Sequence, residues 1–244
     1  MIIEQFVEIV KSTVDNITKT QQNSILKAAD IITDSIINGG ILYTFGTGHS
    51  HCVAEEIVYR AGGLAPVDAI LEPSLTGTTE VTKSEYAERL EGFAKIIIDY
   101  RNLTPKDVLM IISNSGRNAA PVEMAEEANK RSIPVIAITS LQHSKQTTSR
   151  LSSGKKLYQV ADIVIDNMAP LGDATIKLEG LTQPVAPISN ISALFIAHSI
   201  CAQVVENMLQ KGIEPPVFLS GNLDEGRKVN EKYLEKYKGR IRIW

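Results

Sequence analysis

Two short stretches of the chain carry residue types suited to holding an anion. Residues 46–50 read Gly46-Thr47-Gly48-His49-Ser50, and residues 113–118 read Ser113-Asn114-Ser115-Gly116-Arg117-Asn118. Each precedes a helical pattern, and the start of a helix offers free N–H groups and a partial positive charge. The glycines let the backbone come close to a ligand. Thr47, Ser50, Ser113, Ser115 and Asn118 add side-chain donors, and Asn118 is also placed to cap the helix that follows it. Pro121 is tolerated in that helix's first turn.

Carboxylates and imidazoles lie near both stretches. Glu55 and Glu56 fall one to two turns into the helix after the first stretch. Neighbouring helix residues point about 100° apart, so at most one of the two faces a pocket there. Arg60, four residues beyond Glu56, offers an ordinary ion pair as the competing use. Glu91 stands in a charged segment with Glu85, Glu88 and Arg89, and His198 among Phe195, Ile196, Ala197 and Ile200. Either type of group can move a proton at a carbon beside a carbonyl. His49, His51 and Cys52 are close in sequence, but helical residues at i and i+2 diverge, so no metal is expected.

Familiar nucleotide and hydrolase patterns fit poorly. G-x-G-x-x-G needs a third glycine where this chain has His51, although Asp68 follows at a distance suited to a ribose contact. G-x-x-x-x-G-K-[ST] and G-x-S-x-G are both absent from the sequence. The chain has 244 residues, 43% hydrophobic and 22% charged, with a net charge of −3. That is enough to bury a core, and it lacks the basic excess of a nucleic-acid or anionic-membrane binder. The Lys155–Lys156 pair and the basic residues of the last segment read as solvated surface. Cys52 and Cys201 form neither a CxxC nor a disulfide framework. No basic leader or run of about 18 apolar residues is evident. The expectation is a soluble cytoplasmic protein with no membrane or nucleic-acid partner and no cofactor.

Five apolar, β-branched runs, at 41–45, 66–71, 107–112, 133–138 and 161–165, read as strands buried on both faces. Helical patterns at about 50–61, 84–100 and 119–131 alternate with them, which argues for a parallel sheet covered on both sides. The first 38 residues show two apolar stripes, one through Phe6, Ile9, Val10, Val14 and Ile17, the other from Ile25 to Ile36. A long helix is expected at 189–211 and a further one after 222, whereas 144–156 reads as a mobile polar loop. The organisation expected is a helical extension at 1–38, one α/β domain at 39–212 and a helical tail at 213–244.

The two hydroxyl-rich stretches, with the helix after the second and the strand Ile133-Pro-Val-Ile-Ala-Ile-Thr139, resemble a sugar isomerase (SIS) domain over about residues 25–210. The resemblance implies a flavodoxin-like, three-layer αβα fold with about five parallel strands. It also implies phosphosugar binding and a homodimer or homotetramer with sites shared between subunits. Phosphate contacts would come from the 46–50 loop and from Ser113, Asn114, Ser115, Gly116 and Asn118, where the family often has Thr at the last position. His49 would touch phosphate or a sugar hydroxyl. Glu56 matches a family glutamate position better than Glu55. Arg89-Leu-Glu91-Gly-Phe-Ala94 and the run from Asp173 through Lys177 to Gly180 resemble the etherase branch, where the glutamate is an acid/base and Lys177 would reach a neighbouring subunit's phosphate. His198 lies in the helix that carries an acid/base histidine in the phosphoheptose-isomerase branch, one position out of register. These implications point to an isomerase that transfers a proton through Glu56 or Glu91. An etherase-like lyase and a non-catalytic sugar-phosphate sensor remain open alternatives.

Overall fold

The computed structural model describes residues 1–78 and 80–243. Its elements, in chain order, are α1 (Ile2–Ile37), β1 (Leu42–Gly46), α2 (Ser50–Glu56), β2 (Val67–Ile70), α3 (Pro73–Thr76), α4 (Val81–Ala87), α5 (Phe93–Asp99), β3 (Val108–Ile112), α6 (Ala119–Lys130), β4 (Val135–Thr139), α7 (Leu141–Gln146), α8 (Leu157–Val160), β5 (Ile163–Asp166), β6 (Ala174–Ile176), β7 (Val185–Pro187), α9 (Ser189–Gln210) and α10 (Gly226–Tyr237). Strands β1–β5 form one parallel sheet in the order β2-β1-β3-β4-β5. This is the flavodoxin-like order, in which the direction of winding reverses between β1 and β3.

Alternate strand residues feed two cores. Tyr43, Phe45, Leu109, Ile111 and Val135 pack with residues of α5, α6 and α10, whereas Leu42, Met110, Ile112 and Ile136 pack with α1, α2 and α9. The three-layer αβα arrangement follows from strands that are apolar on both faces. Helix α2, after β1, lies on one face, and α6, after β3, lies on the other. The carboxyl ends of β1 and β3, where Gly46 pairs with Ile112, therefore stand at the point where ligand crevices form in such sheets.

The two N-terminal stripes merge into one 36-residue helix. No glycine or proline interrupts residues 2–38, so nothing in the backbone breaks α1 between them. Its second half, from Ile17 to Ile36, is buried against α9 and β5, while most of residues 1–16 are exposed. By length and composition α9 could cross a membrane. Its residues Ile196, Ala197, Ile200 and Val204 instead belong to the core shared with α1 and α2.

Elsewhere too the structure departs from, or adds to, the expectations from the sequence. The helix expected at 84–100 is broken into α4 and α5, with Gly92 in a left-handed conformation (φ +83°) at the α5 N-cap. A small antiparallel pair, β6–β7, separates the sheet from α9. Residues 144–156, read as a mobile loop, are pinned in place. Arg150 N–H donates to the Arg117 carbonyl at 2.8 Å, Leu157 N–H to that of Gly116 at 2.9 Å, and the Lys156 ammonium to the Ser144 carbonyl at 2.6 Å.

Candidate functional site

Helix α2 is held tightly to the end of β1. The Thr44 hydroxyl donates to the Ala54 carbonyl at 2.7 Å, and Gly46 lets the first turn of α2 close onto the strand. A Cβ on Gly46 would stand 2.5 Å from the Ser50 carbonyl oxygen. Gly48 N–H donates to the Leu75 carbonyl at 2.8 Å, which fixes the loop against α3. Thr47 is buried, Ser50 half-buried and His49 exposed.

The second loop turns under Gly116, which has φ +57° and lies close to Thr139. A Cβ there would meet the Thr139 Oγ1 at 2.9 Å, so both conformation and space call for glycine. Ser113 Oγ accepts the Gly116 N–H at 3.2 Å. Asn114 faces the β4–β5 side, where its Oδ1 accepts a bond from Asn167 at 3.1 Å. Among the described residues, the Ser50 and Ser115 hydroxyls have no hydrogen-bond partner.

Asn118 occupies the α6 N-cap position in extended conformation, but its side chain makes no cap bond. The expected cap is absent because the amide is used elsewhere. Its Nδ2 donates to Glu88 Oε1 at 2.6 Å and its Oδ1 accepts from Arg150 at 3.0 Å. The Thr47 hydroxyl donates to Glu88 Oε2 at 2.8 Å. One carboxylate, at the C-cap of α4, thus joins both loops. Burial raises the Glu88 pKa, against the lowering effect of its bonds from Thr47 and Asn118 and of the nearby Arg150 and Arg89 charges.

In the sequence Glu88 reads as one charge among Glu85, Arg89 and Glu91. Its residue type carried no signal, and its position depends on the break in the helix before Gly92. Glu91, three residues later, points elsewhere. It is exposed and accepts bonds from Ser152 N–H and Oγ–H, both 2.6 Å, which lower its pKa. The structure therefore places Glu91 on the 144–156 segment rather than between the loops.

The other candidates sit apart from the loops. Glu55 is exposed. Glu56 pairs with Arg60 and lies 3.7 Å from His198 Nε2, beside a cleft of about 240 Å³ lined by Ile57, Arg60, Gly62, Gly63, His198 and Cys201. Helices α2 and α9 run side by side there, and Asn190 donates to the His49 carbonyl at 3.0 Å. Lys177 is exposed just after β6. Asp173, from the same run, caps α9 by accepting from Ile188 N–H, Ser189 N–H and Ser189 Oγ–H. His51 Nδ1 lies 2.5 Å from the Gly48 carbonyl, and among the described residues no group of three His, Cys, Asp or Glu side chains is arranged to hold a metal.

A family model described as the SIS domain matches residues 5–140, more than half of the chain. The chain belongs to the SIS domain family. A UPF0309 protein of Halalkalibacterium halodurans is 45% identical over 221 residues, covering 91% of each chain. A phosphoheptose isomerase structure from Francisella tularensis superposes with a TM-score of 0.54 at 19% identity, covering 84% of this chain and 96% of that one. The Vibrio vulnificus NanR protein, solved in complex with ManNAc-6P, gives 0.53 at 15% identity over 97% of this chain and 69% of that one. At such identities these structures share the fold of this SIS domain, including its parallel sheet and long C-terminal helix.

Proposed function

We propose that this SIS domain protein binds a sugar phosphate at the β1/β3 crevice and isomerises it by proton transfer. The observation that carries the binding reading is the convergence of two hydroxyl-bearing loops where the sheet reverses its winding. The first-turn amides of α6 are not capped by the Asn118 side chain, and the Ser50 and Ser115 hydroxyls have no protein hydrogen-bond partner among the described residues. Structures sharing this fold include one that binds ManNAc-6P, which supports the same ligand class here.

The Glu56–His198 pair supports the isomerase reading. Their side chains remain 33% and 44% exposed, so a substrate can reach both. In this reading Glu56 takes the proton from the carbon beside the carbonyl and His198 serves the oxygen. Ser50 and Glu56 are six residues apart on α2, about 9 Å along the axis. That separation is on the scale of an extended sugar phosphate. The reading includes a homodimer or homotetramer whose subunits complete each other's sites. The lyase alternative has less support, because Glu91 is held by Ser152.

The test is a panel of aldose and ketose phosphates assayed in D2O. Turnover with deuterium entering beside the carbonyl, lost in Glu56→Gln, is the expected result. Tight binding without turnover would make the protein a sensor, and absence of binding across the panel would refute the crevice as a phosphosugar site.

A further inference from the structure

The donors best placed to meet a phosphate at the crevice already hold an anion. Thr47 from the first loop and Asn118 from the second each donate to the carboxylate of Glu88. Arg150 reaches Asn118 from the 144–156 segment, so its cation sits behind the same group. Glu88 is itself pinned at this spot, because its backbone carbonyl accepts the Ala120 N–H of α6 at 3.0 Å. The side chain cannot simply drift away when another anion arrives.

We infer that Glu88 occupies the donors of the phosphate seat, and that phosphate binding takes over those donors and leaves Glu88 to take up a proton. The inference rests on the proposed phosphate site. A dianion that captures the Thr47 hydroxyl and the Asn118 amide leaves Glu88 half-buried, without those two bonds and beside two negative charges. Each of these changes disfavours the carboxylate form. The proton comes from solvent and forms an O–H bond on Glu88, and no bond to carbon or phosphorus changes. Burial already pushes the Glu88 pKa up.

The groups facing Glu88 are Thr47 from the first loop, Asn118 from α6, Arg150 from the pinned segment and its own neighbour Arg89. Glu85, one turn earlier, faces Arg150. His49 and His51 adjoin the first loop. At about pH 8.5 a phosphomonoester with a second pKa near 6 is fully dianionic. A proton taken up at that pH is therefore not the ligand's.

Glycerol phosphate serves as the probe. The full chain is titrated calorimetrically at about pH 8.5 in two buffers of different ionisation enthalpy. The wild type is expected to take up close to one proton per ligand bound, and its Kd to weaken by up to about tenfold per pH unit. Glu88→Gln is expected to bind more tightly at this pH, with no uptake and a flat pH profile. Binding by the wild type without proton uptake overturns the inference and leaves the phosphate site standing. Absence of any binding by the wild type overturns both. The proton count is read on the wild type, so it stands even if Glu88→Gln folds poorly.

Discussion

Gly46→Ala is the sharpest test of how the first loop is built. The new methyl would lie 2.5 Å from the Ser50 carbonyl oxygen, 2.6 Å from its carbon and 2.9 Å from the His51 nitrogen. All three are backbone atoms of the first turn of α2, and the approach is roughly 1 Å short of ordinary contact. The turn must move, and overpacking of this kind costs about 1–3 kcal/mol. For a chain of this length that lowers the melting temperature by roughly 2–12 °C. The same shift carries Ser50 and the adjoining amides about 1 Å out of place, which costs on the order of a hundredfold in a positioned site. At a glycerol phosphate concentration of about 100 Kd the wild type gains about 2.7 kcal/mol, whereas a hundredfold weaker variant gains about 0.4 kcal/mol. Thermal melts with and without ligand read both quantities. Gly48→Ala is the control, because a Cβ there meets nothing within 4 Å and only its φ of +52° is strained. It should lose about 1–2 kcal/mol through backbone strain alone, without the overpacking loss of Gly46→Ala. A Gly46→Ala protein with wild-type melting and a full ligand shift would refute the close-approach argument.

Glu56→Gln should lower turnover by about 10²–10⁴-fold while leaving ligand-induced stabilisation intact, as single-turnover kinetics and melts would show. Asp107→Ala should cost about 3–5 kcal/mol in urea unfolding, since the buried carboxylate accepts from Ile41 N–H, Thr104 N–H, Thr104 Oγ–H and Arg240. Asp68 is raised above 3.8 by burial, with bonding to Arg242 and the Arg101 charge only partly offsetting this. A raised carboxylate binds protons more readily folded than unfolded, so its contribution to stability falls as pH rises through that window. Asp68→Asn should therefore gain on the wild type as pH rises above about 4 in urea midpoints, and a constant difference would contradict the assignment.

The sheet was legible because its five strands are apolar on both faces, a pattern that only doubly covered strands produce. The two loops were legible because their residue types are rare together and each follows such a strand. The continuity of α1 was not read, because two apolar stripes look like two helices when the polar span between them has no core partner. The 144–156 segment was misread for the opposite reason. Its composition is that of a solvated loop, but its backbone is stitched to Arg117 and Gly116 by bonds that no local pattern announces. The β6–β7 pair was likewise invisible, since strands of three residues leave no periodicity to detect.

Glu88 and Glu91 show most directly where reading by residue type stops. Both are glutamates in one charged stretch, and the resemblance to an etherase motif favours the second. The decisive fact is geometric: the chain breaks before Gly92, so Glu88 closes α4 with its carboxylate between Thr47 and Asn118 while Glu91 turns out to Ser152. The same geometry explains why the loops act together. Thr47 leads into α2 on one face of the sheet, and Asn118 leads into α6 on the other. Glu88 is the group that spans the two. In the proposed reading a ligand that takes its place would join the two helical layers through its own phosphate, and its sugar end would reach Glu56, farther along α2, and His198 of α9. The first loop and Glu56 would then be tied to one rigid element, so a displacement of α2 by a single methyl at Gly46 should be felt at both.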